Sequence, residues 1–123
     1  MSDLVTLRVR ASIERRLEAE CISPDRLATA STVEIARLPI WDGPRQIPLG
    51  DLFDVYGERS VRVRVDGDVS RVDAIGAGMT TGELIVDGPV GRYAGTRMRG
   101  GALRITGTAD YGAGLEMAGG LLD

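Results

Sequence analysis

Glycine recurs through the second half of the chain with a period of nineteen residues. Shifted by that period, Gly76 meets Gly95 and Gly114, and Gly82 meets Gly101 and Gly120. Gly88 meets Gly107. Met79 meets Met98 and Met117, Leu84 meets Leu103 and Leu122, and Val86 meets Ile105. The first unit opens at Gly67 and carries two extra residues before Gly76. An internal period of this kind limits the fold more than composition does, because every unit must adopt one local structure and bury its apolar face on its neighbours.

The apolar part of each unit is short: Leu84-Ile85-Val86, then Leu103-Arg104-Ile105. β-Branched residues and leucine fenced by glycine mark a strand. Several glycines per unit would each cost a helix about 1 kcal/mol, yet they suit corners with positive φ. Short strands joined by corners predict a mainly β fold, a right-handed parallel β-helix of 19-residue coils, over residues 61–123. Met79, Met98 and Met117 would form one internal column, and Leu84, Leu103 and Leu122 a second. Stacking would place Arg97 over Glu116 and Arg104 over Asp123, opposite charges on adjacent rungs.

Residues 1–60 read as a small α+β N-terminal cap. Val5, Leu7 and Val9 alternate with polar residues, a strand pattern. Ser23-Pro24-Asp25 is a helix start with proline in the first turn. Ser31 and Glu34 have capping-box spacing, predicting a short helix from Thr32 to Leu38 that Pro39 stops. Trp41-Asp42-Gly43-Pro44 reads as a turn or loop.

The absences exclude much. No histidine is present, so the commonest general base and metal ligand are missing. Cys21 is the only cysteine, which removes an intrachain disulfide and a Cys/His zinc site. All 15 basic residues are arginine, and the net charge is −3, against a dedicated nucleic-acid binder. No apolar run approaches the ~20 residues that cross a bilayer. Met1-Ser2-Asp3-Leu4 lacks a basic-then-apolar leader, so the expectation is a cytoplasmic protein without membrane contact.

Sharper motifs fall away one by one. Gly76-Ala77-Gly78 with Gly82 misses the dinucleotide-binding spacing. Asp66-Gly67-Asp68 occurs once, whereas calcium-binding repeats need aspartate in each copy. Tyr93 and Tyr111 are too few for a stacking platform. Cys21 has no histidine to activate it. Arg92, Arg97, Arg99 and Arg104 are interspersed with Glu83, Asp87, Asp110 and Glu116, giving a mixed solvated face or a polar interface. No catalytic, cofactor-binding or metal-binding residue is assigned, and an active site on this chain alone is not expected.

Gly82-Glu83-Leu84-Ile85-Val86-Asp87-Gly88 and Gly91-Arg92-Tyr93-Ala94-Gly95-Thr96-Arg97-Met98-Arg99-Gly100-Gly101-Ala102-Leu103-Arg104-Ile105 resemble a glycine-rich β-helical family. It includes the C subunit of formylmethanofuran dehydrogenase and the C-terminal domain of the glutamate synthase large subunit. With the lead-in segments Ser23-Pro24-Asp25-Arg26-Leu27, Val33-Glu34-Ile35-Ala36-Arg37-Leu38-Pro39 and Leu49-Gly50-Asp51-Leu52-Phe53-Asp54-Val55, the likeness is strongest to the C subunit of the bacterial formyltransferase/hydrolase complex. Gly67-Asp68-Val69-Ser70-Arg71-Val72-Asp73-Ala74-Ile75-Gly76-Ala77-Gly78-Met79 adds to it.

The resemblance implies a non-catalytic scaffold in one-carbon metabolism. Its complex would move a formyl group from formyl-tetrahydromethanopterin to methanofuran or a bacterial analogue, then hydrolyse it to formate. The implied partners are hydrolase and formyltransferase subunits in a hetero-oligomer. The implied carriers are of methanofuran and tetrahydromethanopterin type, with a metal on the hydrolase and no cofactor on this chain. The alternatives are a β-helical domain of a glutamate synthase-like enzyme, or the C subunit of a tungsten or molybdenum formylmethanofuran dehydrogenase. Family members continue through more coils, whereas the unit from Gly107 lacks its final strand residues. Either the chain is a piece of a longer helix or another surface covers its last rung.

Overall fold

The computed structural model describes residues 4–123. Met1, Ser2 and Asp3, read above for a leader, lie outside the described residues. In chain order the elements are β1 (Val5–Val9), β2 (Leu17–Glu18), α1 (Pro24–Leu27), α2 (Thr32–Ala36), β3 (Pro39–Asp42) and β4 (Arg45–Pro48). A 3-10 turn (Leu49–Asp51) precedes β5 (Phe53–Tyr56) and β6 (Arg62–Asp66). Then come β7 (Val72–Asp73), β8 (Glu83–Asp87), β9 (Ala102–Ile105) and β10 (Leu121–Leu122).

The strands form two mixed sheets, a six-stranded one in the order β10-β9-β8-β6-β1-β5 and a four-stranded one in the order β4-β3-β2-β7. The expected right-handed parallel β-helix of 19-residue coils is therefore corrected to a mixed α/β fold. A coiled solenoid needs each unit to give several strands to several parallel sheets. Here each unit gives one strand to the large sheet and turns tightly through most of the rest. Beside that strand the recurring strand bridges are Val69 to Val90 and Val90 to Ala109, and elsewhere successive units are joined turn to turn by single backbone hydrogen bonds, such as the Ala74 N–H to the Arg92 carbonyl and the Tyr93 N–H to the Tyr111 carbonyl. An antiparallel strand, β5, closes one edge of the large sheet. The small sheet is drawn mainly from the first sixty residues and is antiparallel except where β2 meets β7.

Strand pairing sets the core. Alternation in β1 turns Val5 and Leu7 inward, and both are fully buried. In register across the sheet, Val5, Val63, Leu84, Leu103 and Leu122 form one inward row. Val55, Leu7, Val65, Val86 and Ile105 form the next. Each fully buried aliphatic side chain is worth about 1.5–3 kcal/mol, so these rows outweigh the surface ion pairs, at about 0–1 kcal/mol each. The opposite face carries Thr6, Arg64, Ile85 and Arg104 in one row.

β8 pairs with β9, and β9 with β10, nineteen residues apart. β6 pairs with β8 at twenty-one. The two additional residues can be located. Val69 still faces Val90 at the longer offset, but the Ala74 N–H donates to the Arg92 carbonyl, a contact of the shorter offset. The extra length therefore falls between Val69 and Ala74, where β7 forms and pairs with β2.

The lead-in helices are single turns or little more. Ser31 caps α2 with a complete capping box, its side chain accepting from the Glu34 N–H while Glu34 accepts from the Ser31 N–H. The helix ends at Ala36 rather than Leu38. Ser23 precedes α1 without a side-chain cap bond. The segment around Trp41 is not a loop. β3 and β4 form a hairpin turning at Gly43 and Pro44, with Ile40 opposite Ile47 and Trp41 opposite Gln46.

Candidate functional site

The residues singled out by the period divide into corners and core. Met79, Met98, Leu84 and Leu103 are fully buried, while Met117 and Leu122 pack on the core half-buried. Each methionine N–H donates back to the glycine carbonyl three residues earlier, Met79 to Gly76, Met98 to Gly95 and Met117 to Gly114. Gly76, Gly95 and Gly114 have φ of 75°, 68° and 72°, and Gly82, Gly101 and Gly120 have 81°, 76° and 83°. Gly88 has φ 150°, and a Cβ at Gly107 would lie 2.5 Å from the Gly88 carbonyl carbon.

The same turns contain left-handed residues that are not glycine. Ala74 (φ 66°), Tyr93 (60°) and Gly112 (81°) stand nineteen apart, as do Gly78 (69°), Arg97 (58°) and Glu116 (56°). Sequence reading missed these positions because glycine occupies only one member of each set.

Those turns border a cleft of about 350 Å³ beside β2 and β7, lined among others by Glu18, Glu20, Asp73, Tyr93, Arg97 and Glu116. Strand register builds its floor, since Glu18 lies opposite Asp73 on one side and Trp41 on the other. Asp73 is occupied: Arg16 donates to it at 2.6 Å and the Arg92 N–H at 2.8 Å. Arg97 lies 3.4 Å from Glu116. The Tyr93 and Tyr111 rings meet edge-on, 5.9 Å apart at 82°. Burial raises the Glu18 pKa, and the neighbouring Glu20 and Asp73 charges add to it.

Several other charged residues have protein partners. Asp66 accepts from Arg64 at 2.6 Å, and the Ser70 side chain together with the Ser70 N–H, at 2.9 Å, holds the Asp68 carboxyl below the usual range. Arg64 also reaches Asp87 at 2.5 Å. Arg104 stands beside Asp123 as expected, since the Asp123 N–H donates to the Leu103 carbonyl and the Ile105 N–H to the Asp123 carbonyl, while its ion pair runs the other way, to Glu83 at 3.9 Å. Arg15 pairs with Asp42. Asp25, in the first turn of α1, accepts from the Thr80 N–H at 3.1 Å and the Thr80 hydroxyl at 2.5 Å. Cys21 is buried, and burial pushes its pKa up to about 11. Among the described residues no group of three or more His, Cys, Asp or Glu is placed to hold a metal ion, and no helix is long and apolar enough to cross a membrane.

No family model matches the chain. It is 40% identical over 94 residues to the C subunit of molybdenum-containing formylmethanofuran dehydrogenase 1 from Methanosarcina barkeri, covering 72% of this chain and 31% of that protein. It is 39% identical over 100 residues to the C subunit of tungsten-containing formylmethanofuran dehydrogenase 2 from Methanothermobacter wolfeii, covering 77% and 37%. Against the C subunit of the Methylorubrum extorquens formyltransferase/hydrolase complex, identity is 33% over 87 residues, covering 71% and 33%. The chain thus spans about a third of the length of these relatives. Its backbone matches a chain of the crystal structure of the formyltransferase/hydrolase complex from Methylorubrum extorquens, in complex with methylofuran. The TM-score is 0.88 at 33% identity, over 95% of this chain and 44% of that one. In sequence and in backbone alike, over the residues shared, the chain belongs to the family of the C subunits of formylmethanofuran dehydrogenases and of the formyltransferase/hydrolase complex.

Proposed function

We propose that this chain is a non-catalytic scaffold subunit of a cytoplasmic formyltransferase/hydrolase complex in one-carbon metabolism. The observation that carries the reading is the backbone match, at TM-score 0.88 over 95% of the chain, to a chain of such a complex. The chemistry would belong to hydrolase and formyltransferase partners, which would transfer formyl between tetrahydromethanopterin-type and methanofuran-type carriers. This chain's own residues support that division of labour. Its buried thiol has a raised pKa, and most of its arginines are engaged by carboxylates. Phe53 is buried in the core, so it cannot anchor a partner; Trp41, Tyr56, Tyr93 and Tyr111 are exposed.

The 40% identity to a molybdenum-dehydrogenase relative favours a second reading, a scaffold in a molybdenum or tungsten dehydrogenase. One purification separates the two. The protein is isolated with its native companions, the assembly is weighed, and its metal content and formyl-carrier hydrolysis are measured. A hetero-oligomer hydrolysing formyl carrier without molybdenum or tungsten supports the first reading. A stoichiometric molybdenum or tungsten centre moves the assignment to the second. A folded monomer with no companions overturns both.

A further inference from the structure

We propose that segment 22–25 is a built-in stop against self-assembly: it occupies the row of backbone donors on the first repeated unit that would otherwise accept a second copy of this chain. The inference goes beyond the scaffold reading and does not rest on it.

Hydrogen-bond register is the first argument. Each later unit donates to the unit before it at the same three places. The Gly95 N–H donates to the Ile75 carbonyl, and the Gly114 N–H to the Ala94 carbonyl. Arg99 and Gly100 both donate to the Met79 carbonyl, and Ala118 and Gly119 both donate to the Met98 carbonyl. Ala102 donates to the Gly82 carbonyl, and Leu121 to the Gly101 carbonyl. The first unit has no unit before it, yet its matching donors are all filled. Gly76 donates to the Ile22 carbonyl and Glu83 to the Val61 carbonyl. Thr80 and Thr81, the counterparts of Arg99 and Gly100, both donate to Oδ1 of Asp25, at 3.1 and 3.3 Å. One carboxylate oxygen thus takes the place that the Met79 and Met98 carbonyls hold later in the chain.

Space filling is the second argument. A Cβ at Gly101 would lie 2.8 Å from the Gly82 carbonyl oxygen, and one at Gly120 would lie 2.9 Å from the Gly100 carbonyl oxygen. At Gly82 the atoms met are the Val61 carbonyl oxygen, at 2.3 Å, and the Pro24 Cβ, at 2.6 Å. Pro24 and Val61 therefore sit where the preceding unit's backbone sits at the later corners. The far side of the segment offers no row of its own. The Ser23 carbonyl accepts from Arg26 and Leu27, the Pro24 carbonyl accepts from Ala28, and proline has no N–H to give. Ile22 and Leu27, both fully buried, anchor it. Covering an edge with chain whose polar groups are already spent is a general way to prevent edge-to-edge addition.

The repeat names what is kept out. A row that pairs with a copy of its own unit inside the chain is equally complementary to that unit in another chain. In the last unit the matching carbonyls, Ala113, Met117 and Gly120, accept no backbone hydrogen bond among the described residues. Their contact with a bared first unit would be head-to-tail and would not close on itself, so assemblies would grow.

The test compares the full wild-type chain with Pro24→Gly/Asp25→Ala, which removes the ring over Gly82 and the acceptor of Thr80 and Thr81. Sedimentation velocity and amide exchange are followed from about 5 to about 500 µM. Across that range the average mass of the double variant should rise about twofold or more beyond that of the wild type. Its Thr80 and Thr81 amides should exchange about tenfold faster than in the wild type at the dilute end. They should regain protection at the concentrated end, where a second copy covers them. Asp25→Asn keeps an acceptor oxygen and should behave as the wild type. Met98→Ala, weakened in the core, should show neither the rise in mass nor the concentration-dependent protection. If the double variant does not fold, Asp25→Ala alone carries the same measurements. A folded variant whose mass and exchange do not depend on concentration, or an equal rise in mass for Met98→Ala, overturns the proposal.

Discussion

Single residues in this fold are chosen by backbone conformation and close approach more than by chemistry. Glu116 holds φ 56° with an exposed side chain whose ion pair, to Arg97, is also exposed. Glu116→Gly should therefore raise stability by about 0.5–1 kcal/mol, seen as a higher melting temperature. Gly91 is the opposite case. Its φ is ordinary, but a Cβ there would lie 2.5 Å from the Val72 carbonyl oxygen, which accepts the Gly91 N–H. Gly91→Ala should cost about 1–3 kcal/mol in denaturant unfolding, with the β2–β7 seam loosening first in hydrogen exchange. The sequence makes part of this readable. Glycine marks a corner at Gly76 or Gly95, but Tyr93 and Arg97 carry ordinary side chains at the same kind of corner, and nothing in their identity announces it. That is why the cleft they line was not legible.

At the scale of elements, local rules read well and lateral pairing does not. Alternation at Val5, Leu7 and Val9 reads directly as β1, and Ser31 with Glu34 as the start of α2. The hairpin of β3 and β4 was signalled by Ile40 and Ile47 around Gly43 and Pro44, but Pro39 and Pro48 disguised its strands; proline fits there because each stands at a strand end. The entry of β1 between β5 and β6 carries no local signal at all. Two tests belong here. Asp25 ties α1 to the Thr80 turn through backbone and hydroxyl bonds, so Asp25→Ala should destabilise by about 1–3 kcal/mol in chemical denaturation. The β2–β7 seam should respond to pH. Glu18 has a raised folded pKa, so its contribution is full below the unfolded value, near 4.5, and is lost as pH rises through the folded one. Glu18→Gln should thus gain stability over the wild type at neutral pH and lose that advantage by about pH 3.

At the scale of the whole molecule, the described residues share one buried cluster drawn from both sheets, and Met79, Met98, Leu84 and Leu103 are among its fully buried members. Met98→Ala should cost about 2–5 kcal/mol and, because the cluster is continuous, should lower one cooperative transition rather than split it. Within the large sheet, β1 lies between β5 and β6, its partners on either side, and both come from far later in the chain. The order of synthesis gives that placement a consequence. As the chain leaves the ribosome, β1 emerges with both flanks bare and must wait for its neighbours, whereas β8 and β9 each arrive beside a strand already made. The nascent protein is therefore most vulnerable in its first sixty residues, and a holding chaperone would act before β6 appears and have little to do afterwards.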